Sequence, residues 1–72
     1  MKTTLDIVAI ASTGVNIVVD ASAKTTMDLM VIINAVVKSG GHILLKNCDR
    51  KTTFDLLSIC KNNPRNITID LT

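Results

Sequence analysis

Basic and hydroxyl side chains that could bind an anion precede the second and third of three helices that the sequence predicts. Lys24 and Thr25 come just before the second helix, and Arg50, Lys51 and Thr52 come just before the third. Free backbone N–H groups at the start of a helix, together with such side chains, suit a phosphate or a carboxylate. Nearby aspartates oppose an anion and no glycine-rich loop is present, so the favoured interpretation is plain helix capping and anion binding is the alternative.

The sequence offers little material for a reaction centre. Two cysteines and one histidine are too few for a four-ligand zinc site. His42 and Cys48 would lie about 20 Å apart along one strand, and neither belongs to a supported catalytic arrangement. With Phe54 as the single aromatic residue and a net charge of +2, the chain lacks a base-stacking platform and a dense basic patch. We therefore expect no catalytic residue, metal or cofactor, and no nucleic-acid partner.

One six-residue phrase occurs three times in the chain. The pattern Lys-Thr-Thr-apolar-Asp-apolar begins at residues 2, 24 and 51, which are 22 and 27 residues apart. Spacings of this size are typical of proteins that stack one supersecondary unit. A chain of 72 residues has room for one domain. We therefore predict a single domain of three repeats, at about 2–23, 24–50 and 51–72, and name these segments units 1, 2 and 3.

Each phrase predicts the start of a helix. A Thr-x-x-Asp sequence ahead of an apolar run is typical of a capping box, so Thr3, Thr25 and Thr52 are the predicted N-caps. The predicted helices span about 4–12, 26–38 and 53–61, and they end at glycine, asparagine or proline signals at 14, 39–41 and 62–64.

The apolar residues that follow each cap also align, and we assign them all to one buried helical face. Leu5, Ile7, Val8, Ile10 and Ala11 of unit 1 correspond to Met27, Leu29, Met30, Ile32 and Ile33 of unit 2 and to Phe54, Leu56, Leu57, Ile59 and Cys60 of unit 3.

A short alternating segment follows each helix, at 15–20, 42–47 and 66–71. Apolar residues recur at alternate positions in them, namely Val15, Ile17, Val19, Ile43, Leu45, Ile67, Ile69 and Leu71. This alternation is typical of strands covered on one side. Strands of a doubly wound sheet are instead apolar throughout. Right-handed crossovers in strand order 1-2-3 place all three helices on one face of a parallel three-stranded sheet. The predicted fold class is therefore α/β.

The order of elements resembles the leucine-rich repeats, in which a unit of 20–29 residues contributes one strand and one helix. Residues 44–48 (Leu-Leu-Lys-Asn-Cys) are similar to that family's passage from strand to Asn/Cys turn. Residues 20–22 and 70–72 lack the Asn or Cys, so the likeness is one of architecture. It implies a short solenoid-like stack, and such stacks need polar terminal caps. This chain has none, so both outer strands are expected to be free edges.

Two surfaces are predicted to meet a partner. The sheet face away from the helices carries Val18, Leu44 and Thr68 in one row, and parallel sheets seldom leave a face bare. The second helix carries apolar residues beyond those that align in all three units, Val36 and Val37 among them. This excess favours burial of the helix by another subunit. The candidate interaction residues are Val18, Val31, Ala35, His42, Leu44, Lys46 and Thr68.

These observations favour a non-catalytic structural or interaction module that self-associates through the second helix, the sheet face or the strand edges. The alternative is a small-ligand or anion-binding domain that uses the strand-to-helix loops. The apolar runs are too short to span a membrane, and two cysteines in a chain without a clear signal peptide favour free thiols in the cytoplasm. A processed site at 21–23 (Ala-Ser-Ala) is the alternative. We expect Cys60 to be buried and Cys48 to be reactive.

Overall fold

Three helices alternate with three strands in the computed structural model, which describes residues 2–61 and 63–72. The elements are α1 (Thr4–Ala11), β1 (Ile17–Asp20), α2 (Thr26–Ser39), β2 (Ile43–Lys46), α3 (Thr53–Cys60) and β3 (Ile67–Ile69). Short 3-10 turns follow β1 and β2 and precede β3, at Ala21–Ala23, Cys48–Arg50 and Pro64–Asn66. The predicted α/β class is confirmed, and each predicted helix end agrees with the observed one to within one residue.

The three helices begin with the same hydrogen bond. The hydroxyl oxygen of Thr3 accepts from the backbone N–H of Asp6 at 3.2 Å. Thr25 and Thr52 cap α2 and α3 in the same way, each over 3.1 Å. Each bond satisfies a backbone donor that the first helical turn leaves free. The predicted N-caps are therefore confirmed at all three positions.

The end of α2 shows why two glycines follow it. Gly40 has a φ of 80°, the left-handed conformation that favours glycine. The N–H of Gly41 donates to the carbonyl of Val36 at 3.0 Å and that of Gly40 to the carbonyl of Val37 at 3.2 Å, as in a Schellman motif. A Cβ at Gly41 would lie 2.5 Å from the carbonyl oxygen of Val15, so only glycine fits. In the predicted terminator of α3, Asn62 lies outside the described residues.

The strands form one parallel sheet in the order β1-β2-β3, as predicted. Ile17, Ile43 and Ile67 are aligned across the sheet, and Val18, Leu44 and Thr68 form the next row. The isoleucines turn toward the helices, whereas Val18 and Thr68 are exposed on the opposite side. The helices therefore cover one face of the sheet.

Unit 2 supplies most of the core. The six largest fully buried side chains all belong to it: Leu29, Ile32, Val36, Ile43, Leu45 and Cys48. Helix α2 has α1 on one side and α3 on the other, so it buries a wider arc than a terminal helix. This corrects the expectation that another subunit buries the extra apolar residues of α2, because Val36 belongs to the chain's own core and Ala35 and Val37 pack against that core.

A second correction concerns the first apolar position of each helix, which the sequence assigns to the core. Leu5, Met27 and Phe54 are 80%, 75% and 78% exposed. At about 100° per residue, Met27 lies roughly 120–160° around the helix from the buried residues Leu29, Ile32 and Ile33. No single face can hold all five aligned positions, and the first of them faces solvent.

Because the caps are equivalent, Thr25→Ala and Thr52→Ala should each lower the free energy of unfolding by about 1 kcal/mol. Chemical denaturation followed by circular dichroism measures the change. Thr52→Ser keeps the accepting oxygen and is the control, with stability close to that of the parent. Neutral results for both alanine variants would contradict the capping assignment.

Candidate interaction surfaces

The outer side of the sheet, which we call the sheet face, carries five of the predicted interaction residues. Val18, Lys46 and Thr68 are exposed there, and His42 and Leu44 are half-buried. The His42 Nε2 lies 2.7 Å from the Thr68 hydroxyl oxygen, across β2 and β3. The apolar residues Val18 and Leu44 therefore lie between polar groups on this face.

The carboxylate of Asp20, held in a tight turn, borders the sheet face at the end of β1. Asp20 accepts from the Ser22 hydroxyl at 2.7 Å, from the Ser22 N–H at 3.0 Å and from the Asn47 amide at 3.0 Å. These bonds, the Ser22 hydroxyl above all, lower the pKa of Asp20, and the charge of Lys46 adds to the effect. The carboxylate is thus held ionised as part of a turn.

Asp70 forms the matching turn at the end of the chain described by the structure. Its carboxylate accepts from the hydroxyl and the N–H of Thr72, and these bonds lower its pKa. Sequence reasoning missed this role for both aspartates, although Asp is a recognised turn residue because its side chain can accept from the backbone N–H two residues later.

The predicted residues on α2 lie away from the sheet face. Val31 is 53% exposed and Ala35 is half-buried. Val31 separates two shallow grooves, one shared with Val8 of α1 and the other shared with Ile59 of α3. Because α2 and the sheet face are on opposite sides of the core, the seven predicted interaction residues form two separate surfaces.

A third apolar surface was missed by sequence reasoning. Leu5, Met27 and Phe54, one from each helix, expose large side chains at the N-terminal turns, and we call this set the helix ridge. Leu57, also exposed, lies beside Phe54 in a shallow groove on α3. The helical angle between the first aligned position and the rest is the signal that identifies them.

The residues predicted to bind an anion have roles within the fold. The Lys24 ammonium donates to the Lys2 carbonyl at 3.1 Å, and the Lys51 ammonium donates to the Lys24 carbonyl at 2.6 Å. Thr25 and Thr52 accept as N-caps, and Arg50 is exposed at the end of a 3-10 turn. Anion binding at these loops stays a prediction, with four of its five side chains already hydrogen-bonded.

Within residues 2–61 and 63–72, no three His, Cys, Asp or Glu side chains are grouped so that they could hold a metal ion. Its helices are all too short or too polar to cross a membrane. No protein-family model, curated protein or solved structure matches the chain. Its own geometry is therefore the basis for a functional proposal.

The two thiols lie in environments that differ from those that the sequence predicts. Cys48 is fully buried and its Sγ donates to the Leu45 carbonyl at 3.2 Å, whereas Cys60 is half-buried. Asn47 adopts a left-handed conformation, with φ of 58°, and the 3-10 turn that follows directs Cys48 into the core. Burial raises the pKa of the Cys48 thiol. The expectation of a reactive Cys48 and a buried Cys60 is therefore wrong.

We expect a thiol-alkylating reagent at mildly alkaline pH to label Cys60 in the native protein and to leave Cys48 unmodified. The reagent cannot reach the buried Cys48 side chain. The raised pKa of this thiol also leaves little of it as the reactive thiolate. Mass spectrometry of the labelled peptides distinguishes the two sites, and labelling in denaturant, where both react, is the control. Native labelling of Cys48 at the rate of Cys60 would contradict this placement.

Proposed function

We propose that this chain is a non-catalytic structural or protein-interaction module that associates with copies of itself. In this proposal its three units are repeats of a short solenoid, arranged like those of leucine-rich-repeat proteins, and the protein works in the cytoplasm. Association would use the outer side of α2, the sheet face or the outer strand edges.

The observation that carries the proposal is the amount of apolar surface left in contact with water. At least ten large hydrophobic side chains are exposed, spread over both faces and both ends: Leu5, Ile10, Val15, Val18, Met27, Met30, Val31, Phe54, Leu57 and Leu71. Single exposed apolar residues are ordinary, but large contiguous patches on a small protein are typical of interaction sites.

The bare sheet face supports the same conclusion. Parallel sheets are almost always covered on both faces, and here Val18 and Leu44 occupy a face without helices. A domain of this size buries only about 60% of the surface of its unfolded chain. Association with a second copy would bury more and would stabilise the fold by mass action.

We expect the molar mass in solution to rise with protein concentration. Sedimentation equilibrium or light scattering over a wide concentration range measures this directly. A mass that stays at that of one chain, 7.7 kDa, over the whole range would contradict self-association.

Two variants separate the candidate surfaces. Val31→Lys places a charge on the outer side of α2, and Leu44→Lys places one on the sheet face. A charge in a contact that excludes water weakens it strongly. The variant that lowers the molar mass identifies the surface that carries the association. If neither variant lowers it, the association uses the strand edges or the ends of the stack.

A further inference from the structure

One helix position is exposed in unit 1 and buried in units 2 and 3, each of which has another unit before it in the chain. Ile10 is 45% exposed, whereas the equivalent residues Ile32 and Ile59 are 0% and 3% exposed. Units 2 and 3 each follow another unit, which covers this position. We call the corresponding side of unit 1 the first end of the molecule.

The opposite dependence holds at the adjacent position. Ala11 and Ile33 are buried by the unit that follows them, whereas the equivalent Cys60 is only half-buried. We call this side of unit 3 the last end. Inside the molecule, these two sides face each other wherever one unit follows another, and both are buried there. The first end and the last end each leave one of the two sides exposed.

A ladder of lysines crosses both internal boundaries. Each ammonium group donates to the backbone carbonyl of the equivalent lysine one unit earlier, from Lys24 to Lys2 at 3.1 Å and from Lys51 to Lys24 at 2.6 Å. Lys24 and Lys51 are half-buried, whereas Lys2 is exposed at the first end. The Lys51 carbonyl at the last end is equivalent to the Lys2 and Lys24 carbonyls, which accept these bonds at the internal boundaries.

A second polar contact crosses the boundary between units 2 and 3, and here the donor belongs to the earlier unit. The Thr26 hydroxyl donates to the Asp55 carboxylate of the next unit at 3.3 Å. The equivalent threonine at the last end, Thr53, and the equivalent aspartate at the first end, Asp6, are both exposed. Each end therefore carries one partner of the lysine bond, which crosses both internal boundaries, and one partner of the Thr–Asp bond, which crosses the boundary between units 2 and 3.

We propose that the first end of one copy docks against the last end of another and repeats the internal unit boundary. Lys2 would then donate to the Lys51 carbonyl of the other copy, whose Thr53 would donate to Asp6. β1 of one copy would lie beside β3 of the other. This inference rests on the proposed function and specifies the surface that carries it. The interface is heterologous, so both ends remain available for growth.

The other apolar surfaces lack this complementarity. On the sheet face His42 and Thr68 already contact each other, and the helix ridge consists of three apolar side chains whose equivalents are exposed in every unit. At the first end, by contrast, Ile10 is exposed where the equivalent Ile32 and Ile59 are buried. The proposed partner is therefore a second copy of this chain.

The first experiment compares Ile10→Lys with Ala9→Lys by sedimentation equilibrium. Both residues are exposed on α1, and both variants add one positive charge. Ile10→Lys should weaken association about tenfold or more, because the charge would be buried at the boundary. Ala9→Lys should associate like the parent.

The second experiment removes the polar contact and leaves the helices unchanged. Lys2→Met keeps an unbranched side chain but loses the donor, and should weaken association about tenfold. Lys38→Met, an exposed lysine near the end of α2, is the matched control for charge and should have no effect. Circular dichroism and thermal unfolding verify that each variant is folded.

Mixing separates a head-to-tail contact from a symmetric one. Cys60→Lys blocks the last end and Ile10→Lys blocks the first, so each variant alone should be monomeric at concentrations where the parent associates. Mixed in equal amounts, they retain one free end each and should form a heterodimer that grows no further. A symmetric contact through either end cannot restore association in this way.

The outcomes distinguish this inference from the proposed function. If Ile10→Lys and Lys2→Met both associate like the parent, the head-to-tail contact is wrong. If Leu44→Lys or Val31→Lys then abolishes association, self-association stands and a different surface carries it. A parent that stays monomeric overturns the proposed function and this inference together.

Discussion

The burial of unit 2 between its two neighbours is the interaction on which the rest of the structure depends. The strand β2 lies between β1 and β3, and α2 lies between α1 and α3. The largest fully buried side chains, Leu29 and Ile43 among them, therefore all come from this one segment. Units 1 and 3 cover unit 2 and in doing so each leave one side exposed.

Features that depend on local chemistry could be predicted from the sequence. The caps at Thr3, Thr25 and Thr52 need only a hydroxyl three residues before a backbone N–H. Alternation at Ile43 and Leu45 identifies the buried side of the strand, and the preference for right-handed crossovers then gives the strand order. Only the coarse class, the helix ends and the sheet follow in this way.

Features that depend on how the elements are turned could not be predicted. Alternation alone would place Cys48 on the sheet face, but the left-handed Asn47 changes the direction of the chain. The exposure of Phe54 depends on the rotation of α3 against the sheet. The hydrogen bond from Lys51 to the Lys24 carbonyl could not be predicted from the sequence, because its acceptor is a backbone atom that every residue has. The recurrence of lysine is its only sequence signal. The candidate surfaces were accordingly only partly foreseen.

The concentration of buried side chains in unit 2 has a consequence for how the protein opens. Segments of a protein that make few buried contacts open more easily than segments that make many. A terminal unit can separate by breaking one boundary, but unit 2 is exposed only when both are broken. The amide protons of Leu45 and its neighbours in β2 would therefore exchange with solvent only through complete unfolding, while those near Ile17 and Ile67 would exchange through fraying of a single unit.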